Sequence, residues 1–273
     1  MLVFVLFLVG LVWHQDLTKI FVSYRVEANR EEAAENAGLL ISHRGACTLA
    51  PENSLPAFRL AGELGYWGAE CDVSVTKDGF LVLMHDSTVN RTTNGRGLVN
   101  SFTLEEIRKL KIDVGANVRY YTDLQVPTLE EFLQICKEYG MTPVIELKIL
   151  LEDANYDTLI SLLRQTGMED EALVISFDYV KLQKLREKSP VHTMLLSQNP
   201  SKDTVDLVLT LENCDLGIDY RYCSRSLVRY AQEKGVLLNA YTVDDEMIFR
   251  DMTRWGIHFI TTDLLKPASN EKS

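Results

Sequence analysis

The chain has 273 residues and a formal net charge of −11, with 46% hydrophobic and 25% charged residues. This composition is ordinary for a folded globular domain, and it excludes a disordered chain and a protein with several membrane spans. The acidic excess is not offset by any stretch rich in lysine and arginine, so nucleic acid is excluded as an expected partner because two polyanions repel each other.

The first thirteen residues, MLVFVLFLVGLVW, form an apolar run that is shorter than the roughly 20 residues of a membrane-spanning helix. No lysine or arginine precedes the run and no small-residue cleavage site directly follows it, so the pattern of a secretory signal is incomplete. A membrane anchor, a signal peptide and an element packed on the domain therefore remain as alternatives. We expect membrane association through residues 1–13, or export, with a cytoplasmic location left open. Residues 1–37 are interpreted as this run and a polar linker.

From Gly38 onward, short apolar runs alternate with segments of helical period. The runs that predict strands are 38–43, 69–75, 142–148, 172–177, 192–197, 214–219, 236–243 and 258–262. The segments that predict helices are 54–65, 128–140, 153–167, 178–189, 201–211, 224–235 and 244–256. Alternation of this kind is typical of parallel strands joined by crossover helices. The sequence thus predicts an α/β fold, one TIM (β/α)8 barrel over residues 38–268, followed by a tail at 269–273.

The apolar run LVLMHD at 81–86 does not fit this alternation, because only TKDGF separates it from the second strand. A crossover between parallel strands needs a dozen residues or more, so we predict that the run folds back as a hairpin arm carrying His85. Residues 87–127 are longer than an ordinary loop and contain a short helical pattern at 103–110. We expect them to form an insertion over the site.

Five cysteines are scattered along the chain without a C-x-x-C pair: Cys47, Cys71, Cys136, Cys214 and Cys223. Their odd number and wide spacing argue against both a zinc site and a disulfide framework. We expect them to be buried, inert thiols.

Acidic residues lie within two of the predicted strands. Strand alternation places Glu70 and Asp72 on one face of the second strand, and Glu146 and Lys148 on one face of the third. Three carboxylates directed into one barrel mouth would repel one another without a cation. Their oxygen ligands suit one hard divalent ion, Mg²⁺ or Ca²⁺.

Two histidines, His43 and His85, are expected to flank that ion. Cleavage of a phosphodiester requires removal of a proton from the nucleophile and delivery of a proton to the leaving group, and imidazole titrates near enough to neutral pH to do both. Arg44 and Lys148 would supply positive charge for the phosphate oxygens. Each motif alone is also typical of surface ion pairs; their combination within residues 43–86 is what favours a catalytic site.

These motifs resemble the glycerophosphodiester phosphodiesterase family. The matching stretches are SHRGACTLAPENSLPAF at 42–58, AECDVSVTKDGFLVLMHDSTVNRTT at 69–93, PVIELK at 143–148, ISF at 175–177, AYTVDD at 240–245 and FITTDLL at 259–265. The resemblance extends from about Leu39 to Pro267, and the combination of H-R-G, P-E-N, E-x-D and H-D is highly specific to the family.

The resemblance implies a barrel of the phospholipase C-like phosphodiesterase type that hydrolyses glycerophosphodiesters to an alcohol and sn-glycerol 3-phosphate with a divalent cation. The roles that carry over by motif are catalysis by His43 and His85, metal binding by Glu70, Asp72 and Glu146, phosphate contact by Arg44 and Lys148, and support of the adjoining loop by Glu52 and Asn53.

The chain departs from the family pattern at Tyr241-Thr242-Val243-Asp244, where the family commonly has Trp-Thr-Val-Asn. Tyr241 keeps an aromatic wall for the substrate but changes its size and polarity, which bears on substrate preference. A lysophospholipid derived from a membrane is the alternative substrate, suggested by the apolar N-terminus. A non-catalytic phosphodiester-binding module is disfavoured, because binding alone requires no proton donor on each side.

Overall fold

The structure is a computed structural model that describes residues 38–148 and 152–267. Its strands are β1 Leu39–Ser42, β2 Gly68–Val75, β3 Leu81–Leu83, β4 Thr142–Leu147, β5 Leu173–Ser176, β6 His192–Ser197, β7 Cys214–Asp219, β8 Leu238–Tyr241 and β9 Phe259–Thr262. All except β3 are parallel and follow the order β1-β9-β8-β7-β6-β5-β4-β2, with β2 closing the ring on β1. The predicted TIM barrel is confirmed.

Helices follow the barrel strands as the sequence period predicts. They are α1 Leu55–Glu63, α2 Leu104–Ile107, α3 Leu129–Tyr139, α4 Asp153–Thr166, α5 Tyr179–Arg186, α6 Lys202–Val208, α7 Arg225–Glu233 and α8 Glu246–Arg254. At the start of α3, Thr128 and Glu131 form the reciprocal capping box that their spacing indicates. Gly140 ends the same helix at φ 66°, a left-handed conformation that glycine adopts without a steric penalty.

The apolar pattern extends beyond the hydrogen-bonded ladder at β8. The sequence predicts a strand over 236–243, whereas the strand covers Leu238–Tyr241. Val236 and Val243, which flank it, are both buried, at 1% and 0% exposure. The apolar run is therefore longer than the strand, because the connecting residues on either side are also buried.

The barrel strands separate two apolar cores. Ala69, Cys71 and Val73 of β2 belong to a large cluster with helix residues such as Phe58 and Phe132, whose rings meet edge to face at 4.6 Å. The opposite face of the strands fills the barrel with a smaller cluster, formed by Ile41, Val144, Leu173, Ile175, Met194, Leu196, Leu237 and Phe259. Since Glu70 and Asp72 alternate with the outward residues of β2, they face the barrel axis.

The run at 81–86 folds back as predicted. β3 pairs antiparallel with β2, in the register Val73 to Leu83 and Val75 to Leu81. The chain that follows, which we call the excursion (residues 84–127), contains α2 and contributes most of a third apolar cluster, formed by Val82, Met84, Val89, Val99, Ile107, Ile112 and Val126. The excursion is therefore held by a small core of its own.

Three of the five cysteines are buried, but Cys47 and Cys223 are partly exposed, which corrects the expectation that all of them are buried. All five are free thiols, as their spacing predicts. No helix within 38–148 or 152–267 is long and apolar enough to cross a membrane. Residues 1–13 lie outside the described residues, so their role in membrane association, like the domain boundaries, stays a prediction.

Candidate active site

Three buried carboxylates meet at the carboxyl end of the barrel. Asp72 of β2 lies directly beside Glu146 of β4 in the parallel register, and Glu70 precedes Asp72 on the same face. Their exposed fractions are 2% for Glu70, 0% for Asp72 and 6% for Glu146. One carboxylate oxygen from each lies within 4.8 Å of the others. The structure thus brings the three predicted metal ligands together.

Burial and neighbouring charges shift the pKa values of the three carboxylates. Burial, and then the charge of Asp72, raise the pKa of Glu70 to about 8. Burial likewise raises the pKa of Glu146. For Asp72 burial opposes ionisation, but the charges of Lys148 and Arg44 outweigh it and lower the pKa. A cation among the three groups would favour the ionised form of each.

Oε1 of Glu70 has no hydrogen-bond partner in the described part of the chain, and Oδ1 of Asp72 has only its ion pair with Lys148. Buried carboxylate oxygens are almost always satisfied, so the Glu70 oxygen requires an explanation. An all-oxygen set of three carboxylates matches the donor preference of Mg²⁺ and Ca²⁺. The residues present therefore fit a divalent cation.

Two basic side chains border the cluster. Nζ of Lys148 lies 2.9 Å from Oε2 of Glu146 and 3.2 Å from Oδ1 of Asp72. Nε of Arg44 lies 3.3 Å from Oδ2 of Asp72, and the Arg44 backbone N–H donates to Oε2 of Glu70 at 2.8 Å. Both cations remain partly exposed, at 18% for Arg44 and 21% for Lys148. Positive charge is thus available at the mouth of the barrel.

The loop after β1 is shaped to reach the cluster. Asn53 donates from Nδ2 to Oδ2 of Asp72 at 2.7 Å and accepts the Asp72 backbone N–H at 3.1 Å. Gly45 has φ 78°, and a side chain there would come within 2.8 Å of Ala57. The glycine of the H-R-G motif is therefore required by both conformation and space. Glu52 in the same loop accepts a hydrogen bond from Arg44 at 3.0 Å.

His43 is held between the carboxylate cluster and Asp263, which follows β9, the strand beside β1. Its Nδ1 lies 2.8 Å from Oδ1 of Asp263, while Nε2 lies 4.0 Å from Oε2 of Glu70. Burial lowers the pKa of His43, but the hydrogen bond to Asp263 and the charge of Glu70 outweigh it, so the pKa is raised. The ring thus faces the cluster through Nε2.

His85 has an equivalent partner on the excursion. Its Nδ1 lies 2.8 Å from Oδ1 of Asp86. Arg91 donates to both oxygens of Asp86, at 2.8 and 3.0 Å, and to both oxygens of Glu52, at 2.7 and 2.8 Å. Because Glu52 also binds Arg44, ion pairs run without a break from His85 to the loop beside the cluster.

Four residues of this constellation were not among the predicted site residues: Asp263, Asp86, Arg91 and Lys181. Sequence features could have indicated the two aspartates, since Asp86 completes the H-D dipeptide and Asp263 follows the last strand. No sequence feature indicates Lys181, because a lysine in an amphipathic helix is normally solvated. It is 8% exposed and donates to the backbone oxygens of Leu147 and Lys148, at 3.1 and 3.0 Å. It therefore braces the end of β4 that carries Lys148.

Tyr241 at the end of β8 forms an aromatic wall together with Phe177, which follows β5. The two rings meet edge to face at 5.9 Å. The Tyr241 hydroxyl is buried without a hydrogen-bond partner among the described residues. Burial, and then the charges of Asp219 and Glu146, raise its pKa. The predicted site residues thus all lie at the carboxyl end of the barrel, while their individual roles stay predictions.

Comparison with known proteins agrees with this architecture. The model of the glycerophosphoryl diester phosphodiesterase family matches residues 43–266. A glycerophosphodiester phosphodiesterase of Caldanaerobacter subterraneus subsp. tengcongensis is 35% identical over 228 residues, covering 82% of this chain and 93% of the relative. One from Bacillus subtilis is 28% identical over 247 residues, covering 82% and 83%.

Among solved structures, a phosphodiesterase of Oleispira antarctica, in complex with the product sn-glycerol-3-phosphate, superposes with a TM-score of 0.78 at 28% identity and covers 83% of this chain and 93% of that one. The family model extends over most of the chain, from the residue after β1 onward, and the strand-end carboxylates and histidine motifs lie within it. The chain belongs to the glycerophosphodiester phosphodiesterase family and is an enzyme of that class.

Proposed function

We propose that the enzyme hydrolyses glycerophosphodiesters to an alcohol and sn-glycerol 3-phosphate, with one divalent cation held by Glu70, Asp72 and Glu146. The observation that carries the proposal is the buried carboxylate cluster, with the unpartnered Oε1 of Glu70, beside His43 and His85. The product bound in the Oleispira relative supports the assignment of the product.

The cation, when bound, supplies Lewis-acid charge to the phosphate oxygens. Each histidine is hydrogen bonded to a carboxylate through Nδ1, His43 to Asp263 and His85 to Asp86. When Nδ1–H donates its hydrogen bond to the carboxylate, the Nε2 atom is left to exchange a proton with the substrate. One imidazole removes the proton from the attacking glycerol hydroxyl, and the other donates a proton to the oxygen of the departing alcohol. Water then opens the resulting cyclic phosphate to glycerol 3-phosphate.

Arg44 and Lys148 hold the phosphate in this proposal. Both side chains contact carboxylates of the cluster. A divalent ion would take over the neutralisation of these carboxylates, which leaves the guanidinium and ammonium groups to face the non-bridging oxygens. Asn53 fixes Asp72 through two hydrogen bonds, and Glu52 fixes Arg44, so both act as positioning residues.

The direct test is release of glycerol 3-phosphate from glycerophosphocholine, glycerophosphoethanolamine and glycerophosphoglycerol, measured with EDTA, Mg²⁺ or Ca²⁺. We expect release that requires one of the two ions and is lost in Asp72→Asn, which should also lose metal binding by calorimetry. Glu130→Gln, on the exposed face of α3, is the matched control and should behave as the parent enzyme. Absence of release from folded, metal-loaded protein would contradict the proposal.

A further inference from the structure

A groove between α7 and the end of α8, in the helical layer outside the barrel, is lined by three arginines. Its volume is about 310 Å³, and its lining residues are Arg225, Val228, Arg229, Gln232, Arg254 and Trp255. We call it the arginine groove. None of these residues belongs to the candidate active site, so the groove is a separate feature of the molecule.

The positions of two arginines on α7 concentrate positive charge. Arg225 and Arg229 are four residues apart, which places them on one face of the helix, where like charges repel each other. Arg225 is also the first residue of α7, and the first turn contains no acidic residue. A cation at this end of a helix is opposed by the helix dipole. The arrangement therefore costs free energy that a bound anion would offset.

Carboxylates of the protein do not neutralise this charge. Within the described part of the chain, Arg225 and Arg229 form no ion pair, and Arg254 has only a long contact of 3.6 Å with Asp251. Arg59, by contrast, is an exposed arginine that lies 2.8 Å from a glutamate. In a chain with a net charge of −11, arginines that share a groove without a close carboxylate are an exception.

The groove also contains a hydrogen-bond donor without an acceptor. Nε1 of Trp255 is buried and has no hydrogen-bond partner among the described residues. Buried polar groups almost always have a partner, so this N–H requires an explanation. An anion in the groove would supply both an acceptor and a negative charge.

The two sides of the arginine groove are fastened to each other. Nε2 of Gln232 on α7 donates to the backbone oxygen of Trp255 at 3.1 Å. Gly256 follows at φ 84°, and Gln232 occupies the space into which a side chain at that position would project. Val228, which also lines the groove, is buried. The groove is therefore formed before any ligand arrives.

The surroundings of Trp255 restrict the kind of anion. The guanidinium carbon of Arg225 lies 5.2 Å from the centre of the Trp255 ring, over its face. The same ring packs against the large apolar cluster. A nucleobase could stack on it only by displacing Arg225. The groove thus suits an anion without an aromatic part.

Size and charge restrict the ligand further. A volume of about 310 Å³ lies near the lower limit for small-molecule sites. A polyanion that extended beyond the groove would meet the acidic excess of the rest of the chain. The guanidinium group presents its N–H donors as a planar fork, which matches the oxygens of a phosphate. Several such forks around a small space favour a compact ion with more than one negative charge.

We propose that the arginine groove binds a compact phosphate dianion, either inorganic phosphate or a small phosphate monoester, at a site outside the barrel. Arg225 and Arg229 contact the phosphate oxygens, and Arg254 adds positive charge from the end of α8. The inference is independent of the proposed function, because the groove and the carboxylate cluster share no residue.

The test is titration of the isotope-labelled full chain with inorganic phosphate, followed by the indole N–H resonance of Trp255. The chain has three tryptophans, so Trp255→Phe assigns this resonance and the other two serve as internal references. We expect a saturable shift in the parent and an apparent Kd at least about 10-fold weaker in Arg225→Gln/Arg229→Gln. Arg225→Lys/Arg229→Lys should have an intermediate affinity, since an ammonium group keeps the charge and lacks the fork.

A second titration, with glycerol 3-phosphate, separates the two sources of the phosphate. Tighter binding than that of inorganic phosphate would identify a monoester site, and equal binding would identify a site for the phosphate group alone. In both cases Arg225→Gln/Arg229→Gln should weaken the binding.

The matched control is Arg59→Gln/Arg164→Gln, which removes the same charge from two exposed arginines that bind glutamates. It should bind phosphate as the parent does. The inference would be overturned by a parent without a saturable shift, by sodium chloride of equal ionic strength producing the same shift, or by unchanged affinity in Arg225→Gln/Arg229→Gln. Hydrolysis of glycerophosphocholine by the same variants tests the proposed function separately and should proceed at the parent rate.

Discussion

The barrel and the excursion hold their histidines by different means. His43 follows β1 and meets Asp263 after β9, so closure of the barrel positions it, and its side chain is 21% exposed. His85 lies on the excursion, is 32% exposed, and is paired with the adjacent Asp86. The half of the site around His43 thus depends on the backbone architecture of the barrel, and the half around His85 depends on side-chain ion pairs.

Arg91 is the residue that joins the two halves. It binds Asp86 and Glu52, each through both carboxylate oxygens, and the bidentate fork of the guanidinium group fixes the geometry of both. Its side chain is 44% exposed, so solvent weakens each pair. Arg91 should thus contribute more to the positioning of Asp86 and Glu52 than to the stability of the fold.

Substitution of either histidine is expected to have the largest effect on kcat. His43→Ala and His85→Ala should each lower kcat by roughly 100-fold to 10,000-fold, because each loses a proton-transfer group. The p-nitrophenol leaving group of an activated diester needs little protonation. Such a substrate should therefore restore the rate of the variant that lacks the general acid, but not the rate of the variant that lacks the general base. Metal affinity, measured by calorimetry, serves as the control. Full activity in either variant would remove that histidine from its role.

Core substitutions test whether the excursion is a separate unit. Phe132→Ala removes a ring that packs on Phe58 and should lower the free energy of unfolding by about 3–5 kcal/mol. Ile107→Ala, in the small cluster of the excursion, should mainly accelerate hydrogen exchange over residues 87–127, because local opening requires less than global unfolding. Denaturant titration and hydrogen exchange measure the two effects. Equal loss of global stability would show that the excursion unfolds with the barrel.

The partners of the histidines should differ in importance. Asp263→Asn should lower kcat by about 10-fold to 100-fold, because the amide no longer favours the Nδ1-protonated ring of His43. Asp86→Asn should have a smaller effect, since Asp86 is shared with Arg91 and its histidine is more exposed, at 32% for His85 against 21% for His43. Steady-state kinetics at saturating metal compare them, and a larger loss from Asp86→Asn would reverse the ranking of the two halves.

The smallest expected effect is that of the bridging arginine. Arg91→Ala should lower kcat about 10-fold with little change in metal affinity, because Asp86 and Glu52 lose a shared partner. Arg91→Lys should recover only part of the rate, since an ammonium group cannot bind both carboxylates bidentately. Arg59→Ala, which breaks an exposed pair with Glu138 between α1 and α3, is the matched control. An unchanged rate in Arg91→Ala would show that the two halves are independent.

Local rules of the chain were enough to predict the barrel and the carboxylate cluster. The alternation of strands with helices led to eight parallel strands, and the period of two put Glu70 and Asp72 on one face. The five residues between β2 and the run at 81–86 were too few for a crossover, which required the hairpin. Each of these inferences depends on spacing over a few residues, and that information is present in any linear sequence.

The partners of the predicted catalytic side chains were decided by the tertiary structure. Asp263 meets His43 across 220 positions of sequence, and Arg91 reaches Glu52 across 39. The pairing of Phe177 with Tyr241 also required the closed barrel. Closure brings the ends of distant strands to one face, and no local period encodes which side chains then touch. The sequence by itself thus determined the elements and the carboxylate cluster, while the fold decided how the histidines are held and what surrounds the entrance.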